Sequence, residues 1–295
     1  MAMKQSAPDY LVLGHITQDL LAGNTCISGG TALYAAITAQ RLGLNTAILT
    51  AAAKLPADLP ASIEIICIPS VTTSTFANRY TDHIRQQFVH AVAPPLDLDL
   101  IPAAWHASPI VHLGPVLHEC SLDMLFAFPQ AIIGVTPQGW MRQWHPPLPS
   151  LVTQPGWKPD PALLRVIDVL VISTEDVSGD PTSLAYYTRY CRLVALTHGA
   201  DGVTLFVDGE AHHIPAHPAI EVDPTGAGDV FAAALLIRLR ETGNPFASVR
   251  FAAIVAALSV EGMGVSCIPT RETVLSHMGA LNDEHAVDRN RRRYS

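Results

Sequence analysis

The sequence offers neither a disulfide framework nor a zinc ribbon. Its five cysteines, Cys26, Cys67, Cys120, Cys191 and Cys267, are odd in number, widely spaced and never arranged as C-x-x-C. They read as core thiols of a reducing compartment. Basic charge is also scarce: 18 Lys and Arg against 26 Asp and Glu give a net charge of −8, which does not suit a nucleic-acid-binding surface. The one basic cluster, Arg289 with Arg291, Arg292 and Arg293, lies in the last seven residues and reads as a solvated tail. No long apolar stretch accompanies the start "MAMKQSAPDYLVLG", so no signal peptide is expected. The run from Phe251 to Leu258 is far too short to cross a bilayer. A soluble, cytoplasmic chain is the expectation. No G-x-S-x-G elbow occurs. The histidines are numerous, but His212, His213 and His217 have no thiolate or carboxylate to complete a zinc set, and adjacent residues on a strand face opposite ways.

What the chain does have is apolar substance. Hydrophobic residues make up 49% of 295, enough for a large core and a length that suits one α/β domain. "YLVLGHI" (10–16), "NTAILTAAA" (45–53) and "SIEIICIPS" (62–70) read as strands, with a glycine-entered helix across "GGTALYAAITAQRLGL" (29–44). This rhythm predicts a mostly parallel sheet covered on both faces. Residues 71–93 alternate apolar with polar and predict a β-flap outside that sheet. The rhythm then resumes with strands at 109–116, 131–137, 166–173 and 192–199, and helices at "SLDMLFAF" and "SLAYYTRY". The proline-rich 146–161 reads as a loop, 202–216 as a hairpin turning at Asp208-Gly209, and 228–242 and 246–260 as apolar helices. No internal repeat is seen.

The stretch "EVDPTGAGDVFAAALL" (221–236) carries the chemistry. Glycines just before a helix let the backbone close around an anion at the positive end of the helix dipole. Gly226, Ala227 and Gly228 would then form an anion hole. Asp229, in the first turn, would accept a proton from a bound hydroxyl. An anion hole beside a base suits phosphoryl transfer to an alcohol. Local physics leaves two rivals open: a plain helix-capping acid, and a dinucleotide fingerprint, although the third glycine of that motif is missing and the stretch comes late in the chain.

Asp223-Pro224-Thr225-Gly226-Ala227-Gly228-Asp229 resembles the D-x-T-G-A-G-D signature of the ribokinase/PfkB family of carbohydrate kinases. Six fixed residues match by chance about 10⁻⁵ times in such a chain. The likeness extends along the sequence. Gly14 with Asp19 resembles the family's first strand and its sugar-contacting aspartate. Gly29-Gly30, with Arg41-Leu42-Gly43 after it, resembles the Gly-Gly signature. Thr197 to Gly202 resembles the T-x-G-x-x-G nucleotide segment, and Ser259 to Pro269 the segment near the adenine and a monovalent cation. The resemblance implies a three-layer α/β/α sandwich with a small β-lid, in one domain spanning 1–295, the lid contributed by about 15–28 and 71–93. It implies Asp229 as catalytic base and Gly226, Ala227 and Gly228 as anion hole. Asp19, Gly29 and Gly30 would touch the acceptor, and Thr197, Gly199 and Gly202 would line the nucleotide site. Asp223 and Thr225 would sit at a K⁺ site. ATP and Mg²⁺ are the implied phosphoryl donor and metal; separately, the exposed face of the β-flap offers a surface for a homodimer through the lid.

The chain departs from the pattern in three places. Ribose-specific members carry Lys and Asn where this sequence has Thr31 and Tyr34, so ribose is not the expected acceptor. The Mg²⁺-organising N-x-x-E becomes Ser173-Thr174-Glu175-Asp176, leaving Glu175 or Asp176 to do its work. "GVTPQGWMRQW" (134–144) follows a strand, and C-terminal strand ends line the ligand crevice, so Gln138 and Arg142 are candidates for acceptor or phosphate contact. This stretch is similar to shorter family members of the inositol-kinase kind. Arg85 in the flap, and His112 and His118 beside Gly114-Pro115, are further candidates for the acceptor pocket. The leading expectation is an ATP-dependent kinase acting on a small polyol, sugar or nucleoside. The alternatives are a non-catalytic sugar- or nucleotide-binding protein on the same fold and, further off, a dinucleotide oxidoreductase.

Overall fold

In the computed structural model the description covers residues 6–21, 25–81 and 84–279, leaving aside the side chains of 80, 81, 84, 85 and 181. The basic tail and the side chain of Arg85 therefore lie outside the described part. The strands are β1 (Tyr10–Leu13), β2 (Thr17–Leu20), β3 (Cys26–Gly29), β4 (Thr46–Ala52), β5 (Glu64–Pro69), β6 (Thr75–Thr81), β7 (Ile84–Ala91), β8 (Ile110–Leu113), β9 (Ile132–Val135), β10 (Ser150–Leu151), β11 (Val169–Ser173), β12 (Leu193–Thr197), β13 (Val203–Val207) and β14 (Glu210–Ile214). The α-helices are α1 (Thr31–Arg41), α2 (Gln138–Met141), α3 (Pro161–Arg165), α4 (Thr174–Val177), α5 (Pro181–Tyr190), α6 (Ala227–Thr242) and α7 (Pro245–Ser259).

Nine strands form the main sheet in the order β14-β13-β12-β11-β9-β8-β1-β4-β5. From β5 to β12 the pairing is parallel, and β13 and β14 add an antiparallel edge. The central strands are mostly apolar because both faces are covered: β1 and β4 are buried at every position. Alternate residues feed opposite cores. Tyr10, Val12 and Ile48 pack towards α1, α6 and α7, whereas Leu11, Leu13 and Leu49 pack towards Trp105, Phe128, Trp140 and Tyr187. These are the three layers of an α/β/α sandwich. Gly134 on β9 lets α6 cross close over the sheet, since a Cβ there would run into Leu236.

A second sheet, in the order β10-β7-β6-β2-β3, stands on the carboxyl side of the first. Three of its strands, β2, β6 and β7, fall within 15–28 and 71–93, and β3 runs one residue past the first range. The fifth, β10, comes from the proline-rich 146–161, expected to be a loop: Ser150 and Leu151 pair with Val89 and Phe88 of β7. A small core of Phe76, Val89, Val116 and Leu117 fastens this sheet to the body. Buried polar groups tie the crossings. His15 bonds Ser74 Oγ through Nδ1 at 2.8 Å and the Pro94 carbonyl through Nε2 at 3.0 Å. The Glu119 carboxylate accepts from the His15, Val116 and Leu117 amides at 2.7–3.0 Å.

One further expectation needs correcting. "SLDMLFAF" forms only a short 3-10 helix, Leu122–Phe126, with Ser121 capping the Asp123 amide. Pro129 follows at once, so the segment is too short for a stable α-helix.

Candidate active site

The order of the main sheet reverses between β1 and β8: the chain runs from β1 to β4 and β5 on one side, and from β8 to β9, β11 and β12 on the other. Ligands of open α/β sheets lie at the carboxyl ends of the strands flanking such a reversal. Gly14 ends β1 and Gly114 ends β8, and their backbones touch: a Cβ on Gly14 would collide with the Gly114 carbonyl. Above this point lie the N-termini of α1 and α6.

Helix α6 begins at Ala227, with Gly226 as its N-cap at φ 78. That left-handed conformation favours glycine, and the Tyr34 ring fills the space a side chain would need. The Ala227 amide donates to the Pro224 carbonyl at 3.2 Å and is thus engaged in the turn. The Gly228 and Asp229 amides occupy the next positions of the first turn, where helix N–H groups have no acceptor within the helix. Asp229 Oδ1 accepts a hydrogen bond from Thr31 Oγ1 at 2.7 Å. The carboxylate lies deep among protein atoms but keeps one side open to the cleft. Burial pushes its pKa up to about 6; the Thr31 hydrogen bond and the Arg142 charge oppose the rise, and Asp176 adds to it.

Around Asp229 the structure gathers several of the residues expected from the sequence. Arg142 is buried, donates from Nη1 to the Val116 carbonyl at 3.0 Å and from Nη2 to Gln138 Oε1 at 2.6 Å, and stacks on the Phe76 ring. Gln138 thus orients Arg142, and a residue of the second sheet covers it. Asp19 projects from β2 over Gly29, whose missing Cβ leaves room for the Asp19 carboxylate. Gly30, at φ 90, turns the chain into α1. Tyr34 is buried, its phenol held well above the usual range by burial and by the charges of Asp223, Asp229 and Asp19. His112, a candidate for the pocket wall, does not line it. It is fully buried beneath the crevice, between Tyr10 Oη at 2.7 Å and Thr136 Oγ1 at 3.1 Å, and burial lowers its pKa to about 3. His118 bonds the Arg142 carbonyl through Nε2 at 2.6 Å.

Further along the same edge, Thr197 ends β12 and donates to the Ile172 carbonyl at 3.3 Å. Gly199 and Gly202 both have positive φ; a side chain on Gly202 would collide with the Ile214 carbonyl. Asp176 forms a capping box with Ser173: its Oδ2 accepts from the Ser173 amide and hydroxyl, both at 2.8 Å. Its Oδ1 is buried with no hydrogen-bond partner. Glu175 is exposed, so of the two acids Asp176 is the one turned towards Asp229. Asp223 accepts from the Thr225 amide at 3.0 Å and the Gly264 amide at 2.9 Å. Burial alone would raise its pKa, but the hydrogen bonds from Thr225 and Gly264 outweigh it and the net shift is downward. Among the described residues, no group of three or more His, Cys, Asp or Glu side chains could hold a metal directly.

Sequence reasoning did not foresee three contributors. Thr31 and Tyr34 were marked only as departures from a family pattern, and Phe76 only as part of an alternating flap. Their partners lie far away in sequence, Thr31 being 198 positions from Asp229. No local signal announces such contacts.

Comparison with known proteins agrees with this geometry. Residues 181–271 match the family model described as pfkB family carbohydrate kinase. A fructokinase from Klebsiella pneumoniae is 30% identical over 195 residues, which cover 59% of this chain and 61% of the relative. An inositol 3-kinase from Zea mays is 50% identical over 46 residues, 16% of this chain and 12% of the relative. The chain thus matches about three-fifths of the first relative's length and much less of the second's. A solved pyrophosphate-dependent kinase of the ribokinase family, complexed with a pyrophosphate analog and myo-inositol, superposes with a TM-score of 0.73 at 21% identity, covering 90% of this chain and 99% of that one. With the signature at 223–229 built into the start of α6, the chain carries over residues 181–271 the likeness to the pfkB family carbohydrate kinases, on a sandwich of the ribokinase-like fold.

Proposed function

We propose that this protein transfers the γ-phosphoryl group of ATP to a hydroxyl of a small polyol, sugar or nucleoside. The observation that carries this reading is Asp229: a carboxylate in the first turn of α6, at the crevice where the sheet order reverses, held by Thr31. In the reaction Asp229 takes the proton of the acceptor hydroxyl. The acceptor oxygen forms a bond to the γ-phosphorus, and the bond from phosphorus to the bridging oxygen breaks as ADP leaves. The Gly228 and Asp229 amides and the positive end of α6 face the charge on the moving group. A pKa of about 6 leaves the base mostly ionised at pH 7 while bringing it closer to its task than an ordinary aspartate.

Asp19, Gly29, Gly30, Gln138 and Arg142 form the acceptor side of this scheme, and Thr197, Gly199 and Gly202 the nucleotide side. The donor set suits Mg²⁺ bound through water: Asp176 Oδ1, buried and unpartnered, would hold a water of its shell. When bound, Mg²⁺ screens the phosphate charge. Asp223 and Thr225 fasten the neighbouring loop, where K⁺ would bind. The second sheet acts as the lid that excludes water, the competing nucleophile.

The test is to incubate the protein with Mg²⁺ and either ATP or pyrophosphate, offering D-fructose, myo-inositol, D-ribose or adenosine in turn, and to measure nucleotide and phosphorylated product. ADP formation with at least one acceptor is expected. Asp229→Asn should lower turnover by about 10²–10⁴-fold while binding is retained. Ligand-dependent thermal stabilisation without any product would replace this reading with that of a binding protein.

A further inference from the structure

We propose that the first turn of α1 braces the reacting end of α6, with Thr31 the positioning residue for Asp229 and Tyr34 for the turn at Gly226. The inference rests on the phosphoryl-transfer reading above. Residues 31 and 34 lie on one face of α1, and their contacts run crosswise to α6: Thr31 meets Asp229, and Tyr34 meets Gly226. Both ends of the Gly226–Asp229 segment are therefore held by one turn of another helix.

Thr31 can point only one way. Its methyl group occupies the space above Gly114, where a Cβ on that glycine would collide with it. The hydroxyl is thereby directed to Asp229 Oδ1, and the side chain is 4% exposed. The α1 N-terminus has Gly30 as N-cap with no side-chain hydrogen bond, and the Thr31 hydroxyl reaches across to the other helix. With Oδ1 held, Oδ2 is the oxygen presented to the acceptor. The Tyr34 ring packs over Gly226 at the point where the backbone turns left-handed into α6. The brace thus fixes the carboxylate and the anion-binding amides relative to each other.

The experiment compares Thr31→Val, which removes the hydroxyl at nearly constant volume, with Thr31→Ser, which keeps it. Thr31→Ala serves if the valine variant does not fold. The Asp229 carboxyl carbon is followed by ¹³C NMR across pH, its signal assigned by its loss in Asp229→Asn. Turnover is measured with Mg-ATP and the same four acceptors. Removing a hydrogen bond donated to the ionised carboxylate should raise its titration midpoint by roughly one unit. It should also lower kcat about tenfold, leave the acceptor KM within about twofold, and shift the acid limb of the pH profile upward. Thr31→Ser should restore both readouts. An unmoved Asp229 midpoint in Thr31→Val, or a serine variant as impaired as the valine one, would overturn the brace. Full turnover in Asp229→Asn would instead overturn Asp229 as the base, and absence of product from the parent with every acceptor would overturn the phosphoryl-transfer reading. An inactive Asp229→Asn beside a Thr31→Val indistinguishable from the parent would remove the brace alone.

Discussion

At the scale of single residues, the proposed role of Asp229 sets function against stability. Its pKa of about 6 in the folded chain lies above that of an unfolded aspartate. The protonated form is therefore the one folding favours. The associated stability is present below about pH 4 and is lost as pH rises through 6. The shift corresponds to roughly 2 kcal/mol after allowing for the open side of the carboxylate. Asp229→Asn should accordingly unfold a few degrees higher than the parent at pH 8, the difference shrinking as pH falls through 6; calorimetry across pH would show it. Parental kcat/KM should rise with pH through an apparent value near 6. A profile flat from pH 5 to 8 would exclude Asp229 as the base. The sequence located this residue because glycines before an apolar run mark a helix start. It left Thr31 unexplained, because that contact exists only once α1 and α6 have packed.

At the scale of elements, what pattern alone revealed was whatever repeats locally. Strands β1 and β4 are apolar at nearly every position because helices cover both faces, and the hairpin of β13 and β14 was marked by Asp208-Gly209, both at positive φ. The short strand β10 was missed because two residues carry no alternation and its register is set by β7. The tight start of α6 yields a direct expectation. Gly226→Ala would place a methyl group against the Tyr34 ring in a left-handed backbone conformation. A cost of about 2–4 kcal/mol is expected, together with loss of phosphoryl transfer, because the amides of the first turn must shift. Denaturant unfolding read beside activity tests this; a variant as stable and as active as the parent would show the turn to be tolerant.

At the scale of the whole molecule, the second sheet is held mainly by few residues. Phe76→Ala removes the centre of a four-residue core and the ring beneath Arg142. About 3 kcal/mol of local stability should be lost, seen as faster amide exchange in β2, β6 and β7 while β1, β4 and β8 remain protected. Uniform loss of protection across both sheets would show that the two unfold as one. The approach of Gly14 to Gly114 has a consequence of another kind. The bottom of the crevice has glycines at 14, 29, 30 and 114: backbone carbonyls take the space beside Gly14 and Gly30, and the side chains of Asp19 and Thr31 take the space beside Gly29 and Gly114. Mutation finds little there to alter without breaking the sheet beneath. Room for a change of side chain is therefore left on the rim, in β2, β6 and the stretch from Gln138 to Arg142.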